Sequence, residues 1–294
     1  MASVWQVTCM TIISVQSHVS NGYVGNSAAV FAMQRLGLEV CPVHTTLLAH
    51  HPGLGGFQGM ITPDETARTV LSGLRELGVY AECRALLSGY LGTVAIGEAV
   101  LDAWRDIKRA APDALYCCAP VIGDCDAGVY VDAALTDFFR DHAVPCADII
   151  IANAFEAELL TDHRIGDAGQ ARRAAEAIIE QGPSIAIITS VPLPSSDGDE
   201  LGNLLVGPDG AGIIRTAKLP LAVKGAGDFM AALWLARFLQ TQESLLALQS
   251  AVAGTQAVIE KVQDHPMQAL SIIEWADHWI AAMENFSSQQ IEPC

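Results

Sequence analysis

At 294 residues and 51% hydrophobic composition, the chain has enough apolar material for a substantial core and is globular rather than disordered. Its 16 Lys and Arg against 33 Asp and Glu leave a formal charge of −17, which repels a nucleic-acid backbone or an anionic membrane surface. An anionic substrate must therefore be held by local donors, such as glycine turns, helix N-termini or a metal ion.

Short β-rich runs alternate with longer helical patterns. The expected order is strand 8–15, helix 27–36, strand 39–43, helix 64–77, strand 84–88, helix 96–110, then strands 115–118 and 148–151. A helix over 167–181 and an apolar strand over 185–188 follow. Two further strands, 203–206 and 212–216, flank Gly207-Pro-Asp-Gly210, a strong hairpin turn. The rest reads as helices over 227–240, 244–261 and 266–283, with a frayed tail over 287–294. Strands apolar on both faces suit a parallel sheet covered by helices, and in such sheets ligands bind beyond the carboxyl ends of the strands. The Pro/Ser/Asp/Gly segment 192–198 is too short to separate domains, so 1–286 is expected to form one domain.

No stretch approaches about 20 continuous apolar residues, so no membrane span is expected. Gln6 and Thr8 interrupt the only run that resembles a signal peptide. Eight cysteines are scattered without a C-x-x-C pair, which points to free thiols in a reducing cytoplasm; adjacent Cys117 and Cys118 read as part of a buried strand.

Three segments carry chemistry. In Gly225-Ala-Gly-Asp228, bare glycines open a long apolar helix whose first N–H groups suit a phosphate, and Asp228 stands where a carboxylate can take a proton from an attacking hydroxyl. A glycine followed by an acidic residue also starts ordinary structural helices, so both readings stay open here. The loop from Ser17 to Ser27 holds two glycines and many small polar groups; it either lines a polar pocket or simply connects strand to helix. Asn153, Glu156 and Glu158 follow a buried strand, where they either orient Mg²⁺ or favour a helix dipole.

Taken together and in order, these pieces resemble the pyridoxal kinases of the ribokinase-like superfamily across almost the whole chain. The resemblance is carried by Ser14-Val-Gln-Ser-His-Val19 with Gly22-Tyr-Val-Gly-Asn26, Leu87-Ser-Gly-Tyr90 and Pro120-Val-Ile-Gly-Asp124. Asn153-Ala-Phe-Glu-Ala-Glu-Leu-Leu160, Ile188-Thr-Ser190 with Leu193-Pro194, and Gly225-Ala-Gly-Asp228 complete it. It implies a three-layer α/β/α sandwich with a mostly parallel central sheet, and ATP-dependent phosphorylation of the 5′-hydroxymethyl group of pyridoxal, with pyridoxine and pyridoxamine as further substrates. By the same resemblance Ser17 bonds the pyridine ring, while Val24, Thr45, Leu48 and Tyr90 line the substrate pocket. Asp228 is the base, and Gly225, Ala226 and Gly227 form the anion hole. Asp124, Asn153 and Glu156 serve the metal–phosphate end, with Asp124 and Glu156 nearest the metal, and Thr189 and Ser190 contact ATP. Mg²⁺, a potassium-like monovalent ion and a homodimer are also implied.

The chain departs from the family pattern at four places. Ala119 replaces an aspartate near the triphosphate, and Ile151 replaces a threonine that helps form the cation environment. The loop Thr46–Leu54 has aliphatic residues where polar and aromatic groups are usual, and Ala226 replaces a frequent threonine, a change that many members of the superfamily share and that carries no weight. These departures leave two other readings in play. One is a B6-vitamer carrier with little or no turnover, and the other a kinase for a related heterocycle such as hydroxymethylpyrimidine.

Overall fold

The computed structural model describes residues 10–193, 200–218, 223–263, 270–286 and 291–293. In chain order the first half forms β1 (Thr11–Asn21), α1 (Asn26–Arg35), β2 (Glu39–His50), β3 (Gly59–Ile61), α2 (Asp64–Glu76) and α3 (Val79–Glu82). Next come β4 (Cys83–Ser88), α4 (Val94–Ala110), β5 (Leu115–Cys118), the short ribbon β6 (Gly123–Asp124) and β7 (Gly128–Val129), and α5 (Ala133–Phe138). The second half holds β8 (Ile149–Asn153), α6 (Ala154–Thr161), α7 (Ala168–Ile179), β9 (Ile185–Pro192), β10 (Glu200–Gly207) and β11 (Gly210–Ala217). It ends with α8 (Ala226–Thr241), α9 (Ser244–Gln263), α10 (Ala276–Glu284) and β12 (Ile291–Pro293).

The large sheet runs β12-β11-β10-β9-β8-β5-β4-β1-β2-β3. From β2 to β9 every pairing is parallel. Antiparallel strands close both flanks. Side chains alternate across a strand, so neighbouring apolar residues feed opposite layers. Ile13, Leu86 and Ile150 pack in one core with Leu71, Ile96, Trp104 and Ile178 from α2, α4 and α7. Ile12, Leu87 and Ile149 pack in the other with Met33, Phe229, Trp234 and Val258 from α1, α8 and α9. This two-sided burial is why the strands are apolar throughout. Among the described residues no helix is long and apolar enough to cross a membrane.

The expected hairpin forms as β10 and β11, with Gly207 opposite Gly210 and Gly210 at φ 116°, a conformation that favours glycine. Several strands outrun the sequence expectation. β1 and β2 extend to Asn21 and His50, because backbone pairing continues where the side chains turn polar, with a register shift at Gln16/Ser17. The strand start expected at 8 and most of the 192–198 segment lie outside the described residues.

Two expectations near the C-terminus are corrected. The helix expected over 266–283 begins only at Ala276; its opening residues 266–269 lie outside the described residues, and 272–275 form turns. The Trp279 indole, fully buried, donates to the Ile272 carbonyl at 2.9 Å and so ties the turn back onto the helix. Within the tail expected to fray over 287–294, Ile291–Pro293 instead pairs with β11, covering an otherwise open strand edge. Arg215 holds Glu292 at 3.0 Å across that pairing. Residues 287–290 and 294 lie outside the described ones.

Candidate active site

The parallel strands point their carboxyl ends the same way, so the loops after β1, β4, β5 and β8 gather at one edge of the sheet. The start of α8 meets them there. Gly225 caps α8 at φ 87°, and a Cβ on it would collide with the Tyr23 carbonyl oxygen. Gly25 is as constrained, since a Cβ there would strike Ser17. Two glycines thus let the loop after β1 press against the α8 turn.

That approach builds the centre of the site. The Gly25 amide donates to Asp228 Oδ2 at 2.7 Å. Burial pushes the Asp228 carboxyl up to about 6, against the opposing pull of the Gly25 N–H. Among the described residues nothing bonds Oδ1. The amides of Gly227 and Asp228 lie in the first turn, where a helix has no internal acceptors for them, whereas the Ala226 amide donates to the Val223 carbonyl at 3.4 Å. A proton acceptor and an anion cradle therefore share one turn.

Ser17 is half-buried in the second half of β1, beside Gly25. Val24 and Leu48 meet with Val19 in a small apolar cluster of their own, apart from the two main cores. Tyr90 is half-buried in the loop after β4, and burial raises its phenol. Thr45 is fully buried, and its hydroxyl donates to the Tyr90 carbonyl at 2.6 Å. Thr45 therefore fixes the loop that carries Tyr90, with its own donor already used.

The other end of the site is built on α6. Asn153 and Glu156 form a capping box: Asn153 Oδ1 accepts from the Glu156 amide at 2.9 Å, and Glu156 Oε2 accepts from the Asn153 amide at 3.0 Å. Glu156 Oε1 also accepts from Ile122 N at 2.9 Å and Gly123 N at 3.4 Å, while Asn153 Nδ2 donates to Gly123 O at 2.9 Å. The pair thereby holds the turn leading to Asp124. Burial pushes Glu156 up to about 8; its three backbone donors pull the other way, and the Asp228 charge adds to the rise. Asp124 Oδ1 accepts from the amides of Asp126 and Ala127, and Oδ2 holds the Lys224 ammonium at 2.7 Å. Burial raises the Asp124 carboxyl, but Lys224 and these amides together bring it below its ordinary value. Thr189 pairs with Asn153 in the β8–β9 register, and Ser190 is exposed in the left-handed region at φ 57°.

The departures at Ala119 and Ile151 fall in one buried core. Ala119 follows Cys118, which pairs with Ile150, and both Ala119 and Ile151 join the core shared with Phe229. A small residue and a large apolar one thus replace two polar ones on a single buried face.

A phosphomethylpyrimidine kinase family model matches residues 21–271. A pyridoxal kinase PdxY from Granulibacter bethesdensis is 39% identical over 259 residues, covering 87% of this chain and 91% of that protein. The chain belongs to the pyridoxal kinase family. Another pyridoxal kinase PdxY, from Leifsonia xyli, is 37% identical over 96% of this chain and all of that protein. The structure of the Leishmania donovani pyridoxal kinase in complex with ADP and pyridoxine matches at a TM-score of 0.84 and 27% identity, over 92% of this chain and 94% of that one. The fold is accordingly the ribokinase-like sandwich that the family shares.

Two residues at the site went unused in the sequence reading. Tyr130, just after β7, is half exposed, and its phenol is raised by burial and then by the charges of Glu156, Asp228 and Asp124. The only sequence signal for it was an aromatic residue closely following the Gly123–Asp124 turn. Lys224, immediately before Gly225, was visible in the motif, but its partner lies 100 positions away.

Proposed function

We propose that this chain transfers the γ-phosphoryl group of ATP to the 5′-hydroxymethyl group of pyridoxal, giving pyridoxal 5′-phosphate and ADP. The observation that carries the reading is the Gly25–Asp228 bond, which fixes one oxygen of a carboxyl that burial pushes up to about 6 and leaves the other, among the described residues, without a bonded partner. Asp228 Oδ1 removes the hydroxyl proton as the alcohol oxygen forms its bond to the γ-phosphorus; the bond from that phosphorus to the β–γ bridging oxygen breaks, and ADP leaves. The Gly227 and Asp228 amides donate to the transferring phosphoryl oxygens, and the Ala226 amide joins them by giving up its long 3.4 Å bond to the Val223 carbonyl. In the same reading Ser17 bonds the ring, Val24, Leu48 and Tyr90 enclose it, and Thr189 and Ser190 meet the nucleotide. The loop that runs through His51 helps exclude water.

The donor set suits Mg²⁺ at one point. Asp124 Oδ2 already carries a cation, the Lys224 ammonium, so Asp124 would hold the metal. Both Glu156 oxygens are occupied by backbone N–H groups, and Glu156 stands behind the Asp124 turn as its support. Bound there with the nucleotide phosphates, Mg²⁺ would neutralise their charge. A monovalent cation fits less well: the side chains at its implied environment, Ala119 and Ile151, are buried and apolar, and no step depends on such an ion.

Cytoplasmic location, a single kinase unit over 1–286 and a homodimer belong to the same reading. Exposed Leu47, Met60 and Ile61 on the β2–β3 edge are the apolar surface a second copy would cover.

The phosphomethylpyrimidine kinase match favours a second reading, in which a hydroxymethylpyrimidine is the acceptor. One assay separates the two. Purified protein with Mg·ATP is offered pyridoxal, pyridoxine, pyridoxamine and hydroxymethylpyrimidine, and ADP release is followed. The highest kcat/KM on pyridoxal supports the first reading, and the highest on the pyrimidine replaces it. Saturable pyridoxal binding without ADP release would make the protein a vitamer carrier.

A further inference from the structure

Lys224 stands where three loops converge. It directly precedes the left-handed Gly225 of the anion turn, and its ammonium reaches across to Asp124 on the β6–β7 ribbon at 2.7 Å. His51, from the loop between β2 and β3, faces the same pair: burial lowers its imidazole first, the Lys224 charge lowers it further, and Asp124 opposes. The pair is only half withdrawn from water, with side-chain exposures of 41% for Lys224 and 27% for Asp124. Such a half-exposed pair contributes little to stability, too little to serve as a strong clasp. One bond to Asp124 also leaves ammonium donors unused.

The charge of the chain sharpens the point. At −17, the protein repels a nucleotide triphosphate overall, so cations placed at the anion turn matter. We propose that Lys224 is a phosphate-binding residue of the nucleotide site, parked on Asp124 while the site is empty. Phosphates arriving at the α8 turn draw the ammonium from a carboxylate to a phosphate oxygen, exchanging one charge-assisted bond for another, and this leaves the Asp124 carboxylate for a divalent cation. This inference rests on the phosphoryl-transfer reading above.

Calorimetric titration of the full chain with ATP and with AMP, in EDTA and then in Mg²⁺, tests it. Lys224→Met is expected to weaken metal-free ATP binding about tenfold or more while changing AMP binding less than about twofold, and Lys224→Arg to restore most of the loss. Asp124→Asn, which frees the ammonium, is expected to act in the opposite sense, tightening metal-free ATP binding while removing the gain from Mg²⁺. If both changes shift ATP affinity in the same direction, the pair is merely a structural tie and the proposal is wrong. Unchanged ATP binding by Lys224→Met, with wild-type protein binding normally, overturns it too. If wild-type protein binds no ATP at all, the phosphoryl-transfer reading falls with it.

Discussion

Asp228 and Glu156 are both acids pushed above their ordinary range by burial, yet their oxygens are treated differently. Glu156 gives both oxygens to three backbone amides, so it can hold a turn in place but has no oxygen left over. Asp228 gives one oxygen to one amide and keeps the other. On the proposed mechanism the difference separates a strut from a base: elevated proton affinity alone marks neither, and a free lone pair aimed at the reacting atom is what chemistry requires.

The largest test of that contrast is Asp228→Asn, which preserves the shape and the acceptor for Gly25 but cannot take a proton. It is expected to lower kcat about a thousandfold while leaving pyridoxal affinity nearly unchanged, as measured by turnover and equilibrium binding. Glu156→Ala should reverse the pattern. It leaves the amides of Ile122, Gly123 and Asn153 without their acceptor, and denaturant unfolding should show a loss of about 3 kcal/mol.

Acidity sharpens the comparison further. Asp228 titrates at about 6, so kcat/KM is expected to fall about tenfold per pH unit below that point. Glu156 acts on stability instead. Its folded-state value of about 8 lies above the ordinary 4.5, so the folded chain holds that proton more tightly than the unfolded one. Stability should decline as pH rises from about 4.5 to about 8, and Glu156→Gln should flatten that segment of a Tm-against-pH curve. The smallest effect concerns the monovalent ion: with Ala119 and Ile151 apolar, exchanging K⁺ for Na⁺ at constant ionic strength should change turnover less than about twofold.

Most of the parallel sheet is legible in the sequence because Leu115–Cys118 and Ile185–Ile188 are apolar on every side chain, as two-sided burial demands. The second half of β2 is not, since His44, Thr45 and Thr46 break the apolar run and backbone pairing, with β1 on one side and β3 on the other, keeps them in a strand. β12 escaped for a similar reason: three residues beside a polar tail carry no pattern, and the open edge of β11 recruits them. At the site, Asp228 and its glycines are written locally, in four consecutive residues. The engagement of Thr45 with the Tyr90 carbonyl and of Lys224 with Asp124 depends on loops distant in the chain, and no spacing rule announces it.

The contact between Gly225 and the Tyr23 carbonyl, beside the Gly25–Asp228 bond, means that the loop proposed to choose the acceptor and the turn proposed to perform the transfer are one mechanical part. A chimera that imports residues 17–27 from a relative to change vitamer preference would have to import 223–228 with them, or it would move the base while trying only to reshape the pocket.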